Sequence, residues 1–382
     1  MNFEPLKSFL DTYIPMLGIP GSDTVIYKNH EEIFRYSSGF DSLKNMTPVR
    51  RDALYNLYSC TKIATCTSIM QLIERGEILV TDPVYAYIPE YRDLTVKVFE
   101  NGKEVGVKKA EKPMLIRHLL TMSAGLDYNR DRRSVTETQK NTGGRCPTLD
   151  FVRALAKDPL NYEPGEGYSY SLAHDILGGI IEVVSDKTLG EYMKDNIFDP
   201  LGMKDTSFSV AEEKKWRLAA QYDYDTEQGI PIEIPSDSNI LRFGTEYESG
   251  GAGLVSSVDD YILLMDALAH LGVGKNGSRI LSSHAVNLMR ENALRPDQLS
   301  KFANSYTTGY GYGYGVRVKM GGTASGNLVP NGTFGWDGAK LCLAMADPQN
   351  KIAVFHAEHM GAFHHILIPR LRNVIYSCLD EV

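Results

Sequence analysis

The chain is short of the features that mark specialised environments. Its five cysteines, Cys60, Cys66, Cys146, Cys342 and Cys378, are odd in number and scattered without a Cys-x-x-Cys pair. That argues against a disulfide framework and a zinc knuckle, and leaves reduced thiols. No run of five or more basic residues occurs and the formal net charge is −8, so the electrostatic footprint of a nucleic-acid-binding protein is missing. No apolar stretch reaches the eighteen or so residues of a membrane span. The opening MNFEPLKSFLDTYIPMLG has acidic residues where a secretory leader needs positive charge and an unbroken apolar run, and a cytoplasmic location is expected. There is no Gly-x-Ser-x-Gly elbow, no His-Glu-x-x-His pair and no phosphate loop ending in Lys-Ser/Thr, which sets aside an α/β-hydrolase, a zincin and a P-loop enzyme. No internal repeat is present, and no cofactor or metal is expected.

What is present is a change of pattern along the chain. Glu4 to Leu17 reads as a helix, and Thr24 to Lys28 and Glu32 to Ser37 alternate around Asn29-His30 as a first hairpin. From Ser59 the apolar residues Ile63, Cys66, Ile69, Met70 and Ile73 recur at helical spacing, and Gly76 follows as a stop. Residues 93–113 alternate around Asn101-Gly102, a hairpin signal read as a surface insertion. Helical stretches, among them Leu149 to Ala156 and Leu172 to Val184, then dominate to about residue 215. Beyond residue 245 a helix over Val258 to Leu271 is followed by strand-like runs: YGYGYGVRVK, then FGWDGAKLCLAMADP and NKIAVFHAE joined by a turn at Asp347 to Asn350, then a closing helix over Ala362 to Leu379. Strands at both ends that pair into one sheet, with the helical middle inserted, would leave a cleft where the two parts meet.

Three short segments could carry chemistry. Ser59-Cys60-Thr61-Lys62 puts a hydroxyl and an amine three positions apart on one helical face. Partial burial behind ALYNLY and the positive end of the helix dipole would both lower the Lys62 pKa and favour an alkoxide on Ser59. Such spacing is common by chance, and an N-cap serine beside an exposed lysine is the plainer reading. EPGEGYSYSLAHDILGG leads a turn into a helix with Tyr168 and Tyr170 on the approach, where a tyrosine can act as acid or base or can simply pack. FGWDGA places Gly335 and Gly338 in a strand, where glycine marks a close backbone approach or a bulge.

Taken together, Ser-x-x-Lys, a Tyr-Ser-x roughly 110 residues on, and a late aromatic-x-Gly strand resemble the class C serine β-lactamases, the penicillin-binding DD-peptidases and the related family VIII carboxylesterases. DPVYAYIPEY, IRHLLTMSAGL, PLGMKDTSF, GGAGLVSSVDDY and MADPQNKIAV fit in family order, so the resemblance spans roughly residues 20–365. It implies an α/β (α+β) fold: an antiparallel sheet flanked by helices over residues 1–58 and 230–382, a mostly helical lobe over 59–229, and an active site in the cleft between them. It implies Ser59 as acylated nucleophile, Lys62 as its proton partner, Tyr170 as base and proton donor to the leaving group, and the N–H groups of Ser59 and Ala339 as oxyanion hole. Trp336 and Gly338 would touch substrate. Two departures matter. Leu172 stands where the family pattern has the asparagine of Tyr-x-Asn, and Trp336-Asp337-Gly338 replaces Lys-Thr-Gly, removing the cation that receives a substrate carboxylate. Both favour a carboxylesterase acting on small neutral esters over a β-lactamase or D-Ala-D-Ala carboxypeptidase, with a small-molecule ester or amide as the partner. Lys340 is a substitute anchor if it shares a strand face with Gly338.

Histidine, cysteine and a non-catalytic role are the alternatives. His356, His359, His364 and His365 crowd one segment with Glu358, but their spacing fits cleft-lining or helix-start histidines better than metal ligands. Cys60 is turned about 100° from Ser59 along a helix, which disfavours it as nucleophile. A binding or scaffold protein that keeps the fold without turnover is the alternative of another class.

Overall fold

The alternating segments at the two ends of the chain do pair into one sheet. The computed structural model describes residues 1–379. β1 (Gly21–Lys28), β2 (Glu31–Ser42) and β3 (Thr47–Pro48) come from the first fifty residues. β4 (Tyr310–Tyr312), β5 (Arg317–Lys319), β6 (Phe334–Asp337), β7 (Cys342–Asp347) and β8 (Ile352–Ala357) come from the last third. They lie in the order β4-β5-β6-β7-β8-β1-β2-β3, with β1 and β8 joining the ends through Thr24 opposite His356 and Val25 opposite Phe355. All pairings are antiparallel.

The two-residue period of the strands sorts their side chains between two cores. Ile26, Phe34, Leu343, Met345 and Val354 pack on α1 (Glu4–Met16) and α6 (His364–Ser377), through Leu6, Leu10, Leu371 and Ile375. Val25, Trp336, Ala344 and Phe355 face the other way, into a cluster continuous with the helical middle of the chain. Each fully buried side chain of this size contributes about 1.5–3 kcal/mol. α4 (Val258–Ala269) lies against β1, β7 and β8, and at the centre of the second cluster is α2 (Thr61–Glu74), packed on α3 (Ala173–Ser185) and buried on all sides along most of its length. Its polar residues are absorbed internally: Thr65 donates to the Gly250 carbonyl at 2.6 Å and Gln71 to that of Ile280 at 2.9 Å. Gly76 ends it at φ +73°, the left-handed stop its position suggested. The hairpin about Asn101-Gly102 forms from residues 95–100 and 103–109. No helix among the described residues is long and apolar enough to cross a membrane.

Four local expectations are corrected. YGYGYGVRVK is two strands, β4 and β5, because Gly315 at φ +74° reverses the chain between them. FGWDGAKLCLAMADP is likewise two, β6 and β7, folded about Gly338 to Leu341, with Leu341 at φ +62°. The closing helix starts at His364 rather than Ala362, because Phe363 adopts φ +66°. Ser59 sits in a 3₁₀ turn (Tyr58–Cys60) that leads directly into α2 rather than in the helix itself.

Candidate active site

That turn is strained where it presents the serine. Tyr58 has φ +45°, a left-handed conformation that costs a bulky residue on the order of 1–3 kcal/mol. Its hydroxyl is held by Gln221 Oε1 at 2.7 Å and the Ser238 carbonyl at 3.1 Å. Ser59 thereby borders a cavity of about 340 Å³, together with Tyr168, Tyr170, Phe302, Trp336 and Ala339.

Lys62, in the first turn of α2, is wholly buried. Its Nζ donates to Ser59 Oγ at 3.2 Å, Tyr128 Oη at 2.9 Å and the Gly251 carbonyl at 2.6 Å, three acceptors for the three protons of an ammonium. Burial works against the charge, but the phenol oxygens of Tyr128 and Tyr170 outweigh it and hold Lys62 above the ordinary lysine value. The expected downward shift is therefore reversed: the amine does not end in an apolar environment but among oxygens. The same burial pushes the Tyr128 phenol up, despite the neighbouring ammonium.

Tyr170 lies just before α3. Its oxygen accepts from the Trp336 indole N–H at 2.9 Å, and its ring centroid is 4.8 Å from Lys62 Nζ and 5.2 Å from the Tyr128 ring. Leu172, in place of the asparagine, is buried and brings no polar atom. Tyr128 and the Gly251 carbonyl hold Lys62 instead. Gly251 is itself fixed by the buried Asp175, which accepts from Tyr247 Oη at 2.5 Å, Ser249 Oγ at 2.6 Å and the Gly251 N–H at 3.4 Å. Burial raises the Asp175 pKa, with those donors and Lys62 opposing.

Gly338 explains how β6 approaches the Ser59 turn. A Cβ there would stand 2.5 Å from the Leu57 carbonyl, so only glycine lets the Gly338 to Leu341 turn close on it. Ala339, next along, lines the cavity with Ser59. Among the described residues neither the Ser59 nor the Ala339 N–H has an acceptor in the backbone, which leaves both free for an oxyanion.

Sequence reasoning singled out Ser59, Lys62, Tyr170, Trp336, Gly338 and Ala339, and the fold brings them together. It missed Tyr128 and Gly251. Each follows a stretch that fits the family order or lies within one, IRHLLTMSAGL and GGAGLVSS, but nothing in the spacing ties either to Lys62. Lys340 was misplaced. Because it lies in the turn and not on a strand, its ammonium pairs with Asp223 and donates to the Tyr222 carbonyl at 2.8 Å. The four histidines do not converge. His356 is buried between Thr24 Oγ1 at 2.7 Å and Glu358 Oε1 at 2.8 Å, His359 bonds the Ala220 carbonyl and His365 is exposed. His364 lines the cavity and donates to the Gly338 carbonyl at 2.8 Å. Cys60 points at the Trp336 and Cys342 carbonyls, and burial raises its thiol far above the ordinary range.

The beta-lactamase family profile matches residues 7–357. The chain belongs to the beta-lactamase family. Esterase EstB of Burkholderia gladioli is 28% identical over 353 residues, covering 87% of this chain and 84% of that protein. The acyltransferase calJ of Penicillium decumbens is 24% identical over 366 residues, covering 90% and 84%. Among solved structures, EstCE1, a hydrolase with promiscuous acyltransferase activity, superposes with a TM-score of 0.78 at 25% identity over 98% of both chains. Simvastatin synthase (LovD) from Aspergillus terreus has the same fold, with a TM-score of 0.80 at 20% identity over 99% of this chain and 100% of that one. This beta-lactamase-family chain is an enzyme of the serine-hydrolase kind.

Proposed function

We propose that the protein is a carboxylesterase that turns over small neutral esters through an acyl-enzyme on Ser59. The observation that carries this reading is at residue 336, where a tryptophan occupies the place of an anchoring lysine and turns its only polar atom to Tyr170. Lys340, the other cation near the turn, is engaged by Asp223 and the Tyr222 carbonyl. The ammonium that does border the cavity, Lys301, is solvent-exposed, where a charge pair contributes at most about 1 kcal/mol.

In this mechanism Tyr170, having released its own proton to solvent, takes the Ser59 proton as a phenolate while Oγ attacks the ester carbonyl. Lys62 keeps its own proton, and its positive charge stabilises both the forming alkoxide and the phenolate. The carbonyl oxygen takes up negative charge between the Ser59 and Ala339 N–H groups, an arrangement in which one donor contributes about 2.7–4 kcal/mol. Tyr170 returns the proton to the departing alkoxide, and water then releases the acyl group by the same steps in reverse. EstB is an esterase by name, which supports this reading.

The test compares kcat/KM for p-nitrophenyl butyrate and a chromogenic cephalosporin, with intact mass recorded after a fluorophosphonate. The ester is expected to be turned over far faster, and Ser59→Ala is expected to lose both turnover and adduct. A cephalosporin value at or above the ester value overturns the substrate class. Near-wild-type turnover by Ser59→Ala overturns the mechanism, and absence of turnover and adduct in the wild type would favour a binding protein.

A further inference from the structure

Away from the cavity, the tip of the first hairpin meets the end of α4. Asn29 and His30 form the two-residue turn between β1 and β2, at φ +52° and +71°, and the Asn29 N–H bonds the Lys351 carbonyl at 3.0 Å in the neighbouring β7–β8 turn. This directs His30 onto the last turn of α4, which carries Asp266 and, one residue past the helix, His270. His30 Nδ1 is 2.7 Å from Asp266 Oδ2, His270 Nδ1 is 3.3 Å from Asp266 Oδ1, and the two imidazole rings stack with centroids 3.5 Å apart. One donor atom from each of the three side chains falls within 4.8 Å of the others.

Two atoms in this group are buried without a partner: Asp266 Oδ1 and His270 Nε2. Asp266 is 1% exposed and His270 8%, so water does not readily complete them, and a buried polar atom left unpaired costs about 1–3 kcal/mol. His270 Nδ1 lies 2.9 Å from the Asp266 backbone carbonyl. A proton there satisfies that carbonyl and leaves the lone pair on Nε2, the arrangement by which a backbone carbonyl orients a ligating histidine. The C-terminal end of a helix carries partial negative charge, which favours a cation.

We propose that His30, Asp266 and His270 bind a divalent transition metal ion, with zinc as the best match. Two imidazoles and one carboxylate suit zinc, cobalt or nickel rather than calcium or magnesium, which require oxygen ligands. Two ligand atoms each ~2.0–2.1 Å from a tetrahedral ion stand ~3.3 Å apart. The 2.7 Å His30–Asp266 contact must therefore open, and the His30 ring must turn out of its stack on His270 so that both lone pairs converge on the ion, a movement its 32% exposure on the turn permits. With three protein ligands, the fourth position is left to water. None of the three residues borders the Ser59 cavity. The ion clamps the first hairpin to α4 and is not part of ester hydrolysis.

The test is equilibrium dialysis of the metal-free protein against Zn²⁺, and separately Co²⁺ with visible absorption, for the wild type, His30→Asn and His270→Gln. Asparagine tolerates the positive φ at position 30, so that variant is expected to fold whatever the outcome at His270. Expected are one zinc ion per wild-type chain, affinity weaker by about tenfold or more in each variant, cobalt bands of nitrogen and oxygen ligation, and unchanged ester turnover. No stoichiometric zinc in the wild type, affinity unchanged in His30→Asn, or a thiolate-to-cobalt band from the cysteines would each overturn the assignment.

Discussion

The indole of Trp336 and the ammonium of Lys62 both face Tyr170, the first at its oxygen and the second at its ring. A hydrogen bond to a charged group contributes about 1.5–3 kcal/mol, so a donor aimed at the phenol oxygen favours the phenolate that the proposed proton transfer requires. Trp336→Phe keeps the apolar wall and deletes that donor. With p-nitrophenyl butyrate, kcat is expected to fall by about 10- to 100-fold while KM changes little. An unchanged kcat would take Trp336 out of the proton path. These residues were legible in the sequence because each lies in a short motif whose order along the chain is itself informative. Tyr128 was not, since one tyrosine among 22 carries no mark until folding puts its oxygen 2.9 Å from Lys62. The pKa direction at Lys62 was misread for the same reason: burial could be inferred from ALYNLY, but the oxygens that share the burial come from positions 128, 170 and 251.

β6 shows how an element can serve both faces of a sheet. Trp336 points to the site while Asp337, next along, points to the opposite side, where it meets Arg317 at 2.5 Å, Arg372 of α6 at 3.3 Å and the Tyr306 hydroxyl. Burial alone would raise the Asp337 pKa, but the two guanidinium groups and their hydrogen bonds outweigh it and bring it to about 2. A carboxylate depressed below its unfolded value of about 3.9 stabilises the fold fully above that pH and progressively less as pH falls toward 2. Asp337→Asn leaves two buried guanidinium groups without a counter-charge, which costs about 3–5 kcal/mol. In urea melts at pH 7 the variant should be less stable by that order, and the difference should shrink between pH 4 and pH 2. A gap that stays constant over this range would show that the ion cluster is not what anchors β6. Asp337-Gly338, a dipeptide that marks turns, stands at the break between β6 and β7 but is outweighed by the apolar residues on either side when Phe334 to Asp347 is read as one strand. The turn depends on Leu341 adopting φ +62°, which no leucine announces, and the misplacement of Lys340 followed from it.

At the scale of the whole molecule, one hydrophobic cluster runs from the strands of the sheet through α2, α3 and α4, and the site draws on residues from position 59 to position 339. Sheet and helical region are therefore expected to unfold together. Of the two tryptophans, Trp216 is exposed and Trp336 is buried, so fluorescence of a Trp216→Phe variant reports the site alone. Its urea transition should coincide with that of far-ultraviolet circular dichroism. Two separated transitions would mean that the parts are stable independently.

The pairing of β1 with β8 has a consequence for biosynthesis. β1 ends at Lys28 and its partner begins at Ile352, and a ribosome adding about 5–20 residues per second needs on the order of tens of seconds to travel between them. For that interval the nascent β1–β2 hairpin presents an open edge carrying Val25 and Ile26, the kind of surface that recruits other strands. The sheet cannot close, nor can Trp336 reach Tyr170, until the strands from Phe334 to Ala357 have emerged. The newborn chain thus has no hydrolytic capacity in hand until the strand Ile352–Ala357 has been made, and its greatest exposure to aggregation falls in the interval before.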